Sequence, residues 1–112
     1  MTFDEALAER IRSLVGLEYG ISERRMFGGV AFLLHGHMAV AASSHGGIMV
    51  RVPLEDADDV LALPHTSPMV MSGRETRGWI RVTAAGCESD EDLHDWVDRG
   101  LEQARSLPPK PA

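Results

Sequence analysis

The chain has 112 residues and a mass of 12.2 kDa, which is typical of one domain and too short for two separate cores. Hydrophobic residues make up 44% of the sequence and charged residues 25%, which excludes a disordered chain, a coiled coil and a collagen-like repeat. The net charge of −6 argues against a general binder of polyanions, so direct nucleic-acid binding is not expected.

The cysteine count and the hydropathy pattern restrict the class of protein further. The single cysteine, Cys87, cannot form an internal disulfide, and no Cys/His spacing typical of zinc sites occurs. No apolar run approaches the roughly 20 residues that span a bilayer, and the first residues do not follow the pattern of a signal sequence. We therefore expect a cytoplasmic protein without membrane contact, metal or cofactor.

The first predicted element is a helix that begins near Phe3. Thr2 and Glu5 form a capping-box pattern, and apolar residues then recur at helical spacing. Gly16 is the predicted stop of this helix.

Three antiparallel strands are predicted next. The segment Met26–Ser44 is interpreted as two strands joined by a turn at His35–Gly36, and a turn at His45–Gly47 leads to a third strand, Ile48–Val52. The pair Gly28–Gly29 inside the first strand predicts a bulge or a close approach of another backbone.

A short helix and a second hairpin follow. Prolines bound the helix, which is predicted over Leu54–Leu63, and His65–Pro68 is interpreted as a loop. The strands Met69–Ser72 and Gly78–Thr83 form the predicted hairpin.

The last predicted helix starts after Ser89, which with Asp92 fits a helix-start pattern, and prolines end it. The order is therefore α-β-β-β-α-β-β-α. It indicates an α+β domain of two layers, a five-stranded antiparallel sheet with the helices on one face. The domain is expected over residues 1–107, with a proline-rich tail at 108–112.

The two faces of this sheet are predicted to differ. Alternation directs one apolar set toward the helices: Val30, Phe32, Leu34, Val40, Ile48, Val50, Ile80 and Val82. The alternate set points away from them: Ala31, Leu33, Ala39, Ala41, Met49, Arg51, Met69, Met71, Trp79 and Arg81. Because an uncovered face this apolar often marks an interface, we expect an interaction surface including Leu33, Met49 and Trp79, in a homodimer or against another protein.

Arginines concentrate in the strand region. The segment Arg24–Leu54 contains no acid, whereas acids cluster in residues 55–59 and 88–102. The arginines could edge the sheet and pair with helix acids, or they could form an anion-binding patch. The second interpretation predicts a site for a small anion or metabolite at Arg51, Arg74, Arg77 and Arg81.

Candidate catalytic residues are few. Cys87 precedes the last helix, but no base is placed beside it by the sequence, as a nucleophile would require. His35 and His37 bracket a turn and would bind a metal only with a third converging ligand. No catalytic or metal-binding residue is predicted, so the chain is not expected to be an enzyme.

An ordered set of short segments carries a family resemblance. The run Arg24–Phe32 contains Arg25, Met26, Phe27, Gly28 and Gly29, and His35–Met38 follows it. The further segments are Met49–Val52, Pro64–His65, Pro68–Met69, Ser72–Arg74, Arg77–Trp79 and Trp96–Val97. Together they resemble the N-terminal domain family of TfoX/Sxy proteins over most of the chain.

The resemblance implies an α-β(3)-α-β(2)-α fold like that of secretion-chaperone-type domains, which agrees with the predicted order. It also implies a regulatory association, because the founding members control competence genes as transcriptional co-activators. Those proteins carry a second, C-terminal domain, and this sequence ends where that domain would begin. The resemblance provides no catalytic residues. We therefore expect a non-enzymatic regulatory module that binds another protein, with the arginine-based anion binder as the alternative.

Overall fold

The structure is a computed structural model that describes residues 5–16, 18–26, 29–43, 46–71 and 73–108, without the side chains of residues 26, 71 and 74–77. In chain order its elements are α1 (Glu5–Val15), β1 (Ile21–Met26), β2 (Gly29–Leu34), β3 (His37–Ala42), β4 (Ile48–Arg51), a 3₁₀ turn (Leu54–Asp56), α2 (Ala57–Leu61), β5 (Thr66–Met71), β6 (Arg74–Val82), a second 3₁₀ turn (Ala84–Cys87) and α3 (Asp90–Arg105).

All six strands belong to one antiparallel sheet in the order β1-β2-β3-β4-β6-β5. The first four strands form a meander, and β6 lies beside β4 with β5 on its outer side. The two edges of the sheet are therefore β1 and β5. Within the described residues, no helix is both long and apolar enough to cross a membrane.

The predicted count of five strands is wrong, because the structure has a sixth strand, β1, ahead of the predicted three. The predicted first strand began at Met26, which is where β1 ends, and β2 begins at Gly29. The β1 sequence Ile-Ser-Glu-Arg-Arg-Met lacks the alternation of apolar and polar residues that indicates a half-buried strand. Its four central residues are all exposed, so no apolar pattern could reveal it.

The second hairpin is also longer than predicted. Strand β5 begins at Thr66, inside the segment His65–Pro68 that was expected to be a loop, and β6 begins at Arg74 rather than Gly78. A proline within β5 is compatible with a strand because β5 lies at the edge of the sheet, where one backbone donor is dispensable.

The helices pack on one face of the sheet, as predicted. The eight strand residues expected to face them all lie in one buried cluster with residues of α1, α2 and α3. Ala39 was expected on the opposite face, but it belongs to this helix-side cluster. The register between β2 and β3 shifts there, since Phe32 pairs with Val40 and Leu33 with Met38, and this leaves Ala39 as an extra residue.

Two local predictions are confirmed in detail. The hydroxyl of Ser89 accepts a hydrogen bond from the Asp92 N–H at 3.1 Å, which caps α3. Gly29 lies against the backbone of β3, where a Cβ atom would overlap the carbonyl oxygen of Ala42. Gly28, like the predicted cap Thr2, falls outside the described residues.

The predicted short helix is only partly an α-helix. Residues Leu54–Asp56 form a 3₁₀ turn, and α2 covers Ala57–Leu61. Helix α1 ends at Val15, directly before the predicted stop at Gly16.

Candidate interaction surface

The side of the sheet away from the helices is called here the second face. Its apolar cluster draws on β2, β3, β4, β5 and β6, and within the described residues it contains no helix residue. The members are Ala31, Leu33, Ala41, Met49 and Met69, with Met38 and Trp79 packed against them. The structure thus brings together the three residues expected to form an interaction surface, Leu33, Met49 and Trp79.

These three residues differ in the exposed fraction that a partner could contact. Leu33 is 6% exposed and Met49 is 5% exposed within the single chain, whereas Trp79 is only partly buried. A binding partner would therefore contact Trp79 directly, and Leu33 and Met49 would support that contact from beneath. The sequence pattern predicted the face correctly but could not indicate this difference in depth.

Arg51 stacks on Trp79 across the β4–β6 ladder. The two residues are directly paired in the antiparallel register, and the guanidinium carbon of Arg51 lies 5.8 Å from the centre of the indole ring. That distance is typical of a cation–π contact. The stack holds the planar guanidinium over an aromatic surface that remains partly accessible.

Arg81 lies on the same face, one register pair away from this stack. It pairs with Met49 in the ladder, and its guanidinium donates to the hydroxyl of Ser43 at 3.4 Å. Ser43 itself is buried. Arg51 and Arg81 are thus diagonal neighbours on adjacent strands, within reach of one ligand.

The remaining arginines of the predicted anion patch are not placed by the structure. The backbones of Arg74 and Arg77 belong to β6, but their side chains lie outside the described part of the chain. Of the family motif, Arg25 lies in β1 and Gly29 opens β2, while Phe27 and Gly28 are outside the described residues and Met26 is described only in its backbone.

The arginines of the helical layer and those of the second face have different kinds of partner. Arg10 pairs with Asp90 at 3.1 Å and Arg105 with Glu18 at 2.5 Å, so these helix arginines are matched by nearby carboxylates. In the described part of the structure, Arg51 and Arg81 contact Trp79 and Ser43 instead of a carboxylate. In the described part of the chain, Arg51 and Arg81 therefore give the second face two positive charges, although the whole chain is acidic.

Cys87, which the sequence analysis considered as a nucleophile, is buried. Cys87 is 1% exposed, and its thiol donates toward the carbonyl oxygens of Thr83 at 3.4 Å and Ala84 at 3.7 Å. The thiol is therefore buried within the second 3₁₀ turn.

The two histidines of the β2–β3 turn, His35 and His37, differ in structural role. His35 adopts a φ of +53° beside Gly36, and the Nε2 of His37 donates to the Pro108 carbonyl at 2.6 Å. Across the described ranges, no three His, Cys, Asp or Glu side chains are grouped as a metal site would require.

A cleft on the helical side was not indicated by the sequence. It has a volume of ≈ 550 Å³ and lies between the first 3₁₀ turn and the C-terminal half of α3. Its charged lining is mixed: Glu55, Asp56, Arg99, Glu102 and Arg105. Because these side chains come from segments more than 40 residues apart and carry both signs, neither motif nor charge pattern could identify the cleft.

The sheet with helices on one face defines an α+β domain, and a family comparison specifies it further. Residues 14–104 match the family model of the TfoX N-terminal domain. Since this match covers most of the chain, the protein belongs to the TfoX N-terminal domain family, as the resemblance indicated. A search of curated proteins found no match.

Proposed function

We propose that this protein is a non-enzymatic, regulatory interaction module of the cytoplasm that binds another protein through its second face. The observation that carries the proposal is the Arg51–Trp79 stack, which lies beside Arg81 on the face that no described helix covers. Tryptophan and arginine are among the residues that are enriched at the energetic centres of protein interfaces.

The composition beneath the stack supports the same function. Met49 and Met69 belong to the cluster against which Met38 and Trp79 pack, and methionine side chains adapt readily to the shape of a partner. The positive charge of Arg51 and Arg81 favours a partner that presents carboxylates at the rim of an apolar contact. Enclosure of the Cys87 thiol supports a binding role over one in nucleophilic catalysis.

The experiment uses two arginine–tryptophan pairs of similar geometry. Arg51 stacks on Trp79 in the second face, and Arg99 stacks on Trp96 at 5.4 Å in the helical layer. Native mass spectrometry of the protein isolated from its own host would be run on wild type, Arg51→Ala and Arg99→Ala. We expect a protein complex that Arg51→Ala weakens at least tenfold and Arg99→Ala leaves intact. Equal retention by both variants would contradict the assignment of the second face.

A small-anion or metabolite site is the second candidate function. It is favoured by the diagonal placement of Arg51 and Arg81, neither of which contacts a carboxylate in the described part of the chain. Two guanidinium groups at this spacing can hold one phosphate or carboxylate group.

A thermal-shift series distinguishes the two candidates. Inorganic phosphate, nucleotides and dicarboxylates would be added to wild type, Arg51→Ala and Arg99→Ala. A site at the second face predicts a rise in Tm with one anion that disappears in Arg51→Ala and persists in Arg99→Ala. A rise in Tm that both variants retain would place the anion elsewhere.

A further inference from the structure

The two edge strands of the sheet differ in how they are protected. Strand β5 contains Pro68, has a register shift between Pro68 and Val70, and is tied to α2 by the Thr66 hydroxyl, which donates to the carbonyl of Val60 at 3.2 Å. Bulges, prolines, charged side chains and covering elements are the usual devices that prevent strand addition. Strand β5 has a proline, a register shift and a contact with α2.

Strand β1 is protected differently, by its charged centre and by the contact of Arg12 on α1 with Glu23. It contains no proline, its six residues pair with β2 without a register shift, and within the described residues β2 is its only neighbour in the sheet. In an antiparallel ladder every second residue of an edge strand directs its N–H and C=O away from the sheet. The outer side of β1 therefore presents a regular row of backbone donors and acceptors to another strand.

The side chains of β1 are complementary in charge to those of a second β1 strand that runs antiparallel to it. Glu23 pairs with Phe32 and Arg25 with Val30, so the carboxylate and the guanidinium lie on the helix side of the strand, two residues apart. Antiparallel pairing of two β1 strands about Arg24 places Glu23 of each copy opposite Arg25 of the other. A two-fold axis perpendicular to the sheet produces this register and keeps the helices of both copies on the same side.

Glu23 belongs to a small cluster of charged side chains. Arg12 on α1 contacts both Glu23, at 2.5 and 2.7 Å, and Glu9, so two carboxylates share one guanidinium. The hydrogen bond from Arg12 lowers the pKa of Glu23, which keeps this carboxylate ionised. Arg25 of the same chain also lowers the pKa of Glu23 through its charge, and Arg25 of a second copy would add a further positive charge beside this carboxylate.

We infer that two copies of this protein associate through β1, edge to edge, to form one continuous sheet. This inference goes beyond the proposed function, because it assigns a different surface and leaves the second face of each copy open.

One contact in this arrangement is unfavourable and fixes the register. Pairing about Arg24 places Arg24 of both copies opposite each other at the axis, and like charges opposite in a ladder are destabilising. Replacing Arg24 with glutamine should therefore strengthen the dimer roughly two- to fivefold. An alternative register, which keeps Arg24 away from its copy, would not show this gain.

The decisive experiment mixes two charge variants. Alone, Arg25→Glu opposes two carboxylates and Glu23→Arg opposes two guanidinium groups, so each should remain monomeric in sedimentation velocity runs at concentrations where wild type dimerises. An equimolar mixture again joins a carboxylate to a guanidinium at both positions where residue 23 of one copy lies opposite residue 25 of the other, and it should form a heterodimer. Circular dichroism verifies that each variant is folded.

Hydrogen exchange on the wild type provides a readout that needs no variant. Amides of β1 should become more protected as concentration rises, while those of β5 should not change. A wild type that stays monomeric, a dimer with unprotected β1, or a mixture without heterodimer would overturn the inference. Trp79→Glu should leave this dimer intact, so failure here is distinct from failure of the proposed function.

Discussion

The same strands build two faces of very different construction. The helix side is a large cluster with bulky, fully buried side chains such as Phe32, Ile11 and Ile80. The second face has a small cluster of alanines, methionines and one leucine, with Trp79 and two arginines above it. Dense packing of rigid side chains provides stability, whereas adaptable side chains under exposed cationic groups favour binding. Under the proposed function, stability and recognition lie on opposite sides of one sheet.

The largest expected effect compares two adjacent residues on opposite faces. Phe32→Ala removes a fully buried ring from the helix side and should lower the free energy of unfolding by about 3–5 kcal/mol. Leu33→Ala should lower the free energy of unfolding by about 2 kcal/mol, because the methionines of the same cluster can move into the space that the leucine side chain leaves. Urea denaturation of both variants checks the order. A greater loss for Leu33→Ala would mean that the second face is the main core.

The next effect concerns the contact between α3 and the sheet. Gly100 faces Ala39 so closely that a Cβ atom would overlap the Ala39 carbonyl oxygen, which belongs to the backbone and cannot rotate away. Gly100→Ala should destabilise the protein by about 1–3 kcal/mol despite the better helix propensity of alanine. A thermal denaturation curve at or above the wild-type Tm would show that α3 can shift away without cost.

A smaller loss of folding stability is expected from a change at the start of α3, which is remote from the second face. Ser89→Ala removes the hydroxyl that accepts from Asp92 and should cost about 1 kcal/mol. Binding through the second face should be unchanged, since the cap lies on the helical layer. Loss of binding in this variant at full folding would imply that α3 takes part in recognition.

The smallest effect is a pH dependence at Glu23. The hydrogen bond from Arg12 lowers the pKa of Glu23 in the folded chain, so its contribution to stability is present above the unfolded pKa and disappears as pH falls through the folded value. Unfolding curves of wild type and Glu23→Gln should differ at neutral pH and converge in acid. A difference that persists or grows at low pH would contradict this assignment.

The sequence predicted most of the fold because alternation marks strands that are buried on one side. The helix-side residues, the cap at Ser89 and the close approach at Gly29 all follow from local rules. Strand β1 could not be predicted, since its exposed Ser-Glu-Arg-Arg centre has no apolar period. Ala39 was placed on the wrong face because a bulge changes the alternation without any mark in the sequence.

The candidate site was predictable only in outline. Alternation placed Leu33, Met49 and Trp79 on one face, but their unequal burial depends on how neighbouring side chains pack. The Arg51–Trp79 stack follows from the β4–β6 register, which joins residues 28 positions apart. The cleft beside α3 depends on tertiary placement alone.

The central claim is that Trp79 lies at the contact with a protein partner, and the fluorescence of this residue tests it most directly. The chain has two tryptophans, so Trp96→Phe leaves Trp79 as the sole indole. Acrylamide quenching would be measured for the free variant and for its complex isolated from the host. The account predicts clearly weaker quenching in the complex, because the partner covers Trp79. A complex with unchanged quenching, or the absence of a complex, would contradict the account.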